Sequence, residues 1–372
     1  MRRIGLYIHW PFCQAKCPYC DFNSHVVAAI DHEEWRRAYA AEIARHAALL
    51  PEAEIGSIFF GGGTPSLMEA RTVSRIIDDV QRNWRLANDV EITLEANPTS
   101  VEAERFRDYR LAGVNRVSVG IQSLDDAALR RLGRLHTVAE ARAAFDVAQA
   151  TFQRTSFDLI YARQHQGPED WAAELRMALA MGSDHLSLYQ LTIEEGTAFG
   201  DRHAGGRLGG LPDEDRGADL WQITQDLTES AGLPAYEISN HARPGAESRH
   251  NLTYWTGGDY AGIGPGAHGR LTIAGTRHET VALSSPVAWI ARVRSGETPD
   301  QRMPLTPRAR EEERLMMGLR IAQGVPLDAV SVPKSRIDTL EQFGLVERSS
   351  DHLRLTPAGR PLLDAILREM LA

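Results

Sequence analysis

The pattern of hydrophobic and polar positions alternates short β-rich runs with helical stretches over the first half of the chain. Ile4 to His9, Ser57 to Phe60, Val90 to Glu95, Arg116 to Gly120, Ser156 to Tyr161 and Asp184 to Tyr189 read as strands, and strands that alternate with helices build a parallel α/β sheet. Helix signals are legible between them. Thr99 followed three residues later by Glu102 is a capping box, and Gly113 stands where a helix C-cap belongs. Six βα units are too few to close an eight-stranded barrel. They suit an open, partial (β/α)6 TIM-like barrel, with ligands gathered at the carboxyl ends of its strands.

From Glu195 to Arg216 the pattern lapses into a Gly-rich stretch that reads as a surface loop, before Pro212 and Asp213 open another helix. From Leu305 the order changes to helix (Glu311 to Ala322), helix (Arg336 to Phe343), strands (Leu345 to Glu347 and Leu353 to Leu355) and a last helix after Pro357, the order of a winged helix. The expected organisation is a barrel over 1–235, a connecting segment over 236–304 and a C-terminal winged-helix-like domain over 305–372.

Composition narrows the partners. With 43% hydrophobic and 24% charged residues and a formal net charge of -9, the chain resembles a soluble globular protein with no global attraction to polyanions. Leu305 to Ala372 holds ten Lys or Arg and ten Asp or Glu, so the winged unit reads as structural rather than as a nucleic-acid reader. No stretch reaches the roughly 20 apolar residues of a membrane helix, and Met1 to Phe12 lacks a signal-peptide core. A cytoplasmic location without membrane insertion is expected.

The cysteines change the picture most. All three, Cys13, Cys17 and Cys20, fall within eight positions, a clustering that disulfides cannot explain and that points to metal or redox chemistry. Zinc is one reading, with His9 or His25 as fourth ligand. The other is a 4Fe-4S cubane. Most electron-transfer clusters are closed by four cysteines, so three thiolates would leave one iron open for another ligand.

The spacing Cys13-x3-Cys17-x2-Cys20 resembles that of the radical S-adenosylmethionine (SAM) superfamily, in which SAM chelates the open iron. Gly61-Gly62-Gly63-Thr64-Pro65 after the second strand, Glu95 ending the third, Gln122, Arg134 and Asp158 match the family's SAM shell. The resemblance implies that Tyr7, Tyr19, Gly62, Gly63, Thr64, Glu95, Gln122, Arg134 and Asp158 bind SAM. It implies ribose contact for Glu95 and charge pairing with the SAM carboxylate for Arg134. Within the superfamily the chain is similar to the group that includes the HemN coproporphyrinogen III dehydrogenases and the HemW haem chaperones. His250-Asn251-Leu252-Thr253-Tyr254-Trp255 resembles the HemW haem-binding motif, which implies His250 as a haem ligand. HemN enzymes carry a further cysteine where Phe22 stands, and a longer N-terminal arm than the six residues before Tyr7. The resemblance therefore implies a chaperone that binds haem for an acceptor apo-protein, with a dehydrogenase as the alternative. Two features stand apart. Ala162-Arg163-Gln164-His165-Gln166 replaces the Gly-Leu-Pro common in related chains, and is expected to reshape the ligand edge. Gly262, Gly264 and Gly266 before His268 are expected to form a loop closing the SAM side.

Overall fold

Each of the six expected strands forms and runs parallel to the next. The structure is a computed structural model and describes residues 2–372. Its main sheet contains β1 (Arg2–Trp10), β2 (Ala53–Gly62), β3 (Arg85–Ala96), β4 (Arg116–Gln122), β5 (Arg154–Tyr161) and β6 (His185–Gln190). It continues with β7 (Asn240–Ala242), β8 (Tyr260–Ile263), β9 (His268–Ile273), β10 (Thr276–Ala282) and β11 (Asp300–Pro304). The spatial order is β11-β10-β9-β8-β1-β2-β3-β4-β5-β6-β7, so β1 to β6 make an open, partial barrel flanked on both sides. Residues 236–304 are thus not a mere tether. β8 pairs parallel with β1, and Ala261 and Ile263 join the main core. The stretch Gly262 to Gly266 is part strand: Gly262 lies in β8, where an added Cβ would clash with the His268 carbonyl.

Alternation along the barrel strands sets two environments. On β4, Val117, Val119 and Ile121 are fully buried in the apolar layer under the helices. The intervening Arg116, Ser118 and Gln122 face the barrel interior, as the two-residue period of a strand requires. β5 repeats the pattern, with Phe157 and Leu159 outward and Ser156 and Asp158 inward. The lumen of this barrel is polar.

The helix signals hold in part. Thr99 accepts from the Glu102 amide, but the Glu102 carboxylate turns to the Asn97 amide at 2.9 Å and to Ser66, leaving the capping box half made. Gly113, at φ 109°, follows the helix Phe106–Leu111 and its cap Ala112. The expected loop between Glu195 and Arg216 contains a helix, Ala198–Ala204, capped by Thr197. Its Phe199 is buried, and the Phe199 amide donates to the Pro18 carbonyl at 2.8 Å, so the segment braces the cysteine loop.

The C-terminal unit follows the winged-helix order. Helices Pro307–Gly318, Lys334–Gln342 and Leu363–Leu371 pack with strands β12 (Val325–Pro326), β13 (Val346–Arg348) and β14 (His352–Leu355) around their own core of Leu315, Leu319, Val325, Leu353 and Ile366. Arg360 reaches the carbonyls of Ala235 and Glu237, and Arg320 lies over the Trp255 ring at 4.8 Å, tying the unit to the barrel.

Candidate functional site

The cysteine loop leaves the carboxyl end of β1 and is fixed by backbone. Cys13 donates to the His25 carbonyl at 3.0 Å, His25 to that of Pro11 at 2.7 Å, and Cys20 to that of Cys17 at 3.1 Å. The glycines at the end of β2 make room for this loop rather than for a ligand alone. A Cβ on Gly62, at φ 111°, would meet the His9 ring at 2.7 Å, and one on Gly63 would meet the Phe12 carbonyl at 2.6 Å, separations that only glycine tolerates.

A cavity of ≈ 410 Å³ opens above the strand ends. Its wall includes Cys13, Cys17, Cys20, Tyr19, Gly62, Gly63, Thr64, Glu95, Gln122, Arg134 and Asp158. Two residues expected at the site do not line it. Tyr7 sits lower, its hydroxyl on His9 Nδ1 at 3.0 Å and its ring beside His250 and Phe59. His250 is 1% exposed, with Nδ1 on Ser57 Oγ at 2.8 Å, Nε2 on the Tyr254 hydroxyl at 2.5 Å and its ring stacked on Phe59 at 5.0 Å. Both of its nitrogens are engaged inside the barrel. For His250 to ligate haem iron, as the resemblance implies, it would have to give up one of these bonds and shift against Phe59.

The thiols have polar company. Thr64 Oγ1 donates to Cys13 Sγ at 3.4 Å, and Arg134 donates to Cys17 Sγ at 3.4 Å. Arg134 is held in turn by Asn97 Oδ1 at 2.6 Å and the Gly120 carbonyl at 2.9 Å. Burial pushes the free Cys13 and Cys20 thiols up, whereas iron would take them as thiolates. Among the described residues no group of three or more His, Cys, Asp or Glu is arranged to hold a single metal ion. The ring nitrogens that a zinc site would draw on are partly committed elsewhere. His9 spends one nitrogen on Tyr7 and the other on the Asn23 carbonyl, and His25 Nε2 bonds Asn23 Oδ1. Three thiols flanked by hydrogen-bond donors beside an open cavity fit a cluster with one exposed iron.

Two carboxylates face that cavity. Burial, with the Asp158 charge adding to it, pushes Glu95 up to about 8. Burial raises Asp158 as well, against the Ser187 and Ser118 hydroxyls that support its charge. Gln122 is a non-glycine residue at φ 70°, just where the β4–β5 register slips, a bulge that aims its side chain. Behind it Arg163 and Gln166 of the Ala162 to Gln166 departure turn inward, while His165 stays exposed and Gln164 bonds the Gly209 carbonyl. Arg163 pairs with buried Glu174, whose carboxylate accepts from Ser123 and the Leu124 amide at 2.7 Å each. That ion pair fixes the turn after Gln122. Sequence reasoning passed over Asn97, Ser118 and Tyr189, which also line the cavity. Asn97 and Ser118 were readable as the same-face neighbours of Glu95 and Gly120.

An open α/β barrel carrying a three-cysteine loop and this polar cavity defines a radical SAM protein. The sequence matches the Radical SAM superfamily over residues 7–178 and the HemN C-terminal domain over 305–362. It is 36% identical over 380 residues to the heme chaperone HemW of Escherichia coli, covering 99% of this chain and 98% of that one. It is 36% identical over 379 residues to the HemW of Mycobacterium tuberculosis, covering 99% and 95%. To the mitochondrial radical S-adenosyl methionine domain-containing protein 1 of Bos taurus it is 37% identical, covering 100% and 88%. The solved coproporphyrinogen III oxidase HemN of Escherichia coli superposes with a TM-score of 0.83 at 21% identity, covering 99% of this chain and 90% of that one, a likeness of fold. The chain belongs to the HemW family. Membership implies a 4Fe-4S cluster and SAM, and no helix among the described residues is long and apolar enough to cross a membrane.

Proposed function

We propose that this protein is a cytoplasmic haem chaperone that binds haem and passes it to an acceptor apo-protein. In this reading the cavity holds SAM against a cluster on Cys13, Cys17 and Cys20, which when bound together supply one-electron chemistry. Glu95 meets the SAM ribose, Arg134 its carboxylate, and Tyr19, Gly62, Gly63, Thr64, Gln122 and Asp158 complete the shell. The observation that carries the reading is the full-length relationship to the HemW chaperones. Phe22 supports it: the position of the extra HemN cysteine holds a ring that is 59% exposed at the cavity rim, where an apolar face suits a porphyrin better than a thiol does. The test is anaerobic reconstitution followed by incubation with haem, SAM and coproporphyrinogen. A stable Soret band, haem transfer to an apo-haemoprotein and no decarboxylated product are expected. Decarboxylation without stable haem binding overturns the proposal in favour of a dehydrogenase.

A further inference from the structure

Below the cavity lies a charge that the site has not yet used. Arg116 is 2% exposed, and its guanidinium donates to Ser156 Oγ at 2.8 Å without forming an ion pair among the described residues. Arg154, its register partner on β5, is by contrast paired with Glu91. A buried guanidinium without a partner is costly, so its compensation must come from farther away. The hydrogen bonds show where. Ser156 Oγ donates to Ser118 Oγ at 2.9 Å, and Ser118 Oγ donates to Asp158 Oδ1 at 3.3 Å. Every donor points the same way, from the fixed cation to the carboxylate in the cavity wall.

We propose that Arg116, outside the cavity, is a positioning residue for SAM binding that orients the Asp158 carboxylate and supports its charge through Ser156 and Ser118. The proposal rests on SAM occupying this cavity.

The surrounding groups leave Arg116 in that role. Facing the carboxylates are Arg134 from beyond β4, Ser187 and Tyr189 from β6, Tyr7 from β1 and Tyr254 from the helix Arg249–Trp255. Burial pushes all three tyrosines up, so they stay neutral. His185 and His250 face Arg116 from the other side, and burial pushes both down, so they add no charge. Arg116 below and Arg134 above are the cations of the pair. Because the relay ends on Asp158, that carboxylate is the one held ionised, and Glu95, raised to about 8 by burial and by the Asp158 charge, is the one protonated at neutral pH. An ionised Glu95 accepts ribose hydroxyls better than a protonated one. SAM binding therefore releases a proton at neutral pH, and affinity climbs with pH until about 8, then levels.

The experiment is calorimetric SAM titration of the anaerobically reconstituted protein across about pH 6 to 9 in buffers of different ionisation enthalpy, with visible absorption confirming an intact cluster. Wild type, Arg116→Gln, Arg116→Lys and Ser156→Ala are compared. Arg116→Gln is expected to weaken SAM about tenfold at pH 7 and to move the levelling point upward. Arg116→Lys restores part of both, and Ser156→Ala shows the same shifts at smaller size. Should Arg116→Gln fail to fold, Ser156→Ala decides, since it removes one hydroxyl and no charge. Wild-type affinity and pH profile in the variants, even with a lowered Tm, show that Arg116 is structural only and overturn the proposal. No SAM binding by wild type at any pH overturns the SAM assignment itself, and the proposal with it.

Discussion

The two ends of the barrel lumen contain the same kinds of residue and differ in whether their valences are closed. At the upper end Glu95, Asp158 and Arg134 border open space above the strand ends. At the lower end Glu91 and His250 are sealed, and the half-buried Arg154 closes over Glu91. Glu91 pairs with Arg154 and accepts from the Arg249 amide at 3.0 Å and the His250 amide at 3.3 Å, so one carboxylate caps the helix Arg249–Trp255. Arg154 also donates to the carbonyls of Ala246 and Glu247 at 2.7 and 2.9 Å. An acid and an arginine that pair with each other, beside a histidine closed by Ser57 and Tyr254, are a joint. The same residue types with groups left facing a cavity make a site.

The largest effect that would test the upper end is loss of the cluster. Cys17→Ala is expected to take the reconstituted protein from about four irons per chain to none, read by iron and acid-labile sulfide analysis. Stoichiometric zinc without sulfide in the wild type would remove the basis for calling the upper end a radical SAM site.

Acid should loosen the fold as a whole, the lower end included. Burial pushes His46, His241 and His250 down to about 3 and His136 to about 4, and drives His185 well below its ordinary value. A histidine whose folded pKa is depressed contributes stability above its unfolded pKa of about 6.5 and loses it as pH falls, at up to about 1.4 kcal/mol per pH unit each. Glu95 works the other way, since a raised carboxyl pKa favours the folded state as pH falls through about 8. Burial raises Glu42, Glu102, Asp158 and Asp300 in the same sense but by less, so the large histidine shifts dominate. Denaturant midpoints measured from about pH 7 down to about pH 5.5 should fall by an amount worth several kcal/mol, and a flat profile would show that these rings titrate freely.

Cutting the lower joint directly comes next in size. Arg154→Ala leaves Glu91 buried and unpaired, which should cost about 3 kcal/mol in denaturant melts while the reconstituted cluster spectrum stays intact. A loss of cluster at unchanged stability would mean that the two ends are not separable.

How much of this was legible follows from the same contrast. The six barrel strands could be read because each carries a buried β-rich run, and the cysteine loop because its spacing is local. β7 to β11 were not. β7 has three residues, β8 has four and includes a glycine, and β11 is largely exposed, so none has a long hydrophobic run of its own. The helix Ala198–Ala204 was hidden by the glycines around it, although Thr197 and buried Phe199 carry its signals. Asn97 and Ser118 required knowing which face of each strand looks inward. Nor could the sequence say that His250 lies inside the barrel, because that depends on Ser57 and Phe59, almost two hundred residues earlier.

His250 is where the contrast between the ends can be sharpened furthest with the smallest change. Removing its ring should leave Ser57 Oγ and the Tyr254 hydroxyl without their partner and open space against Phe59, a cost of about 2 kcal/mol in His250→Ala. If the lower end is a joint, that destabilisation is the whole effect: the Soret band and haem affinity of His250→Ala match wild type once both are shown to be folded with an intact cluster. If the helix Arg249–Trp255 opens to let His250 ligate iron, the same variant loses affinity or shifts the Soret band. Arg154→Ala, which loosens the helix without touching the ring, then binds haem more tightly. Haem titration of the two variants side by side separates these outcomes, because a joint and a gated ligand predict opposite responses to loosening the same latch.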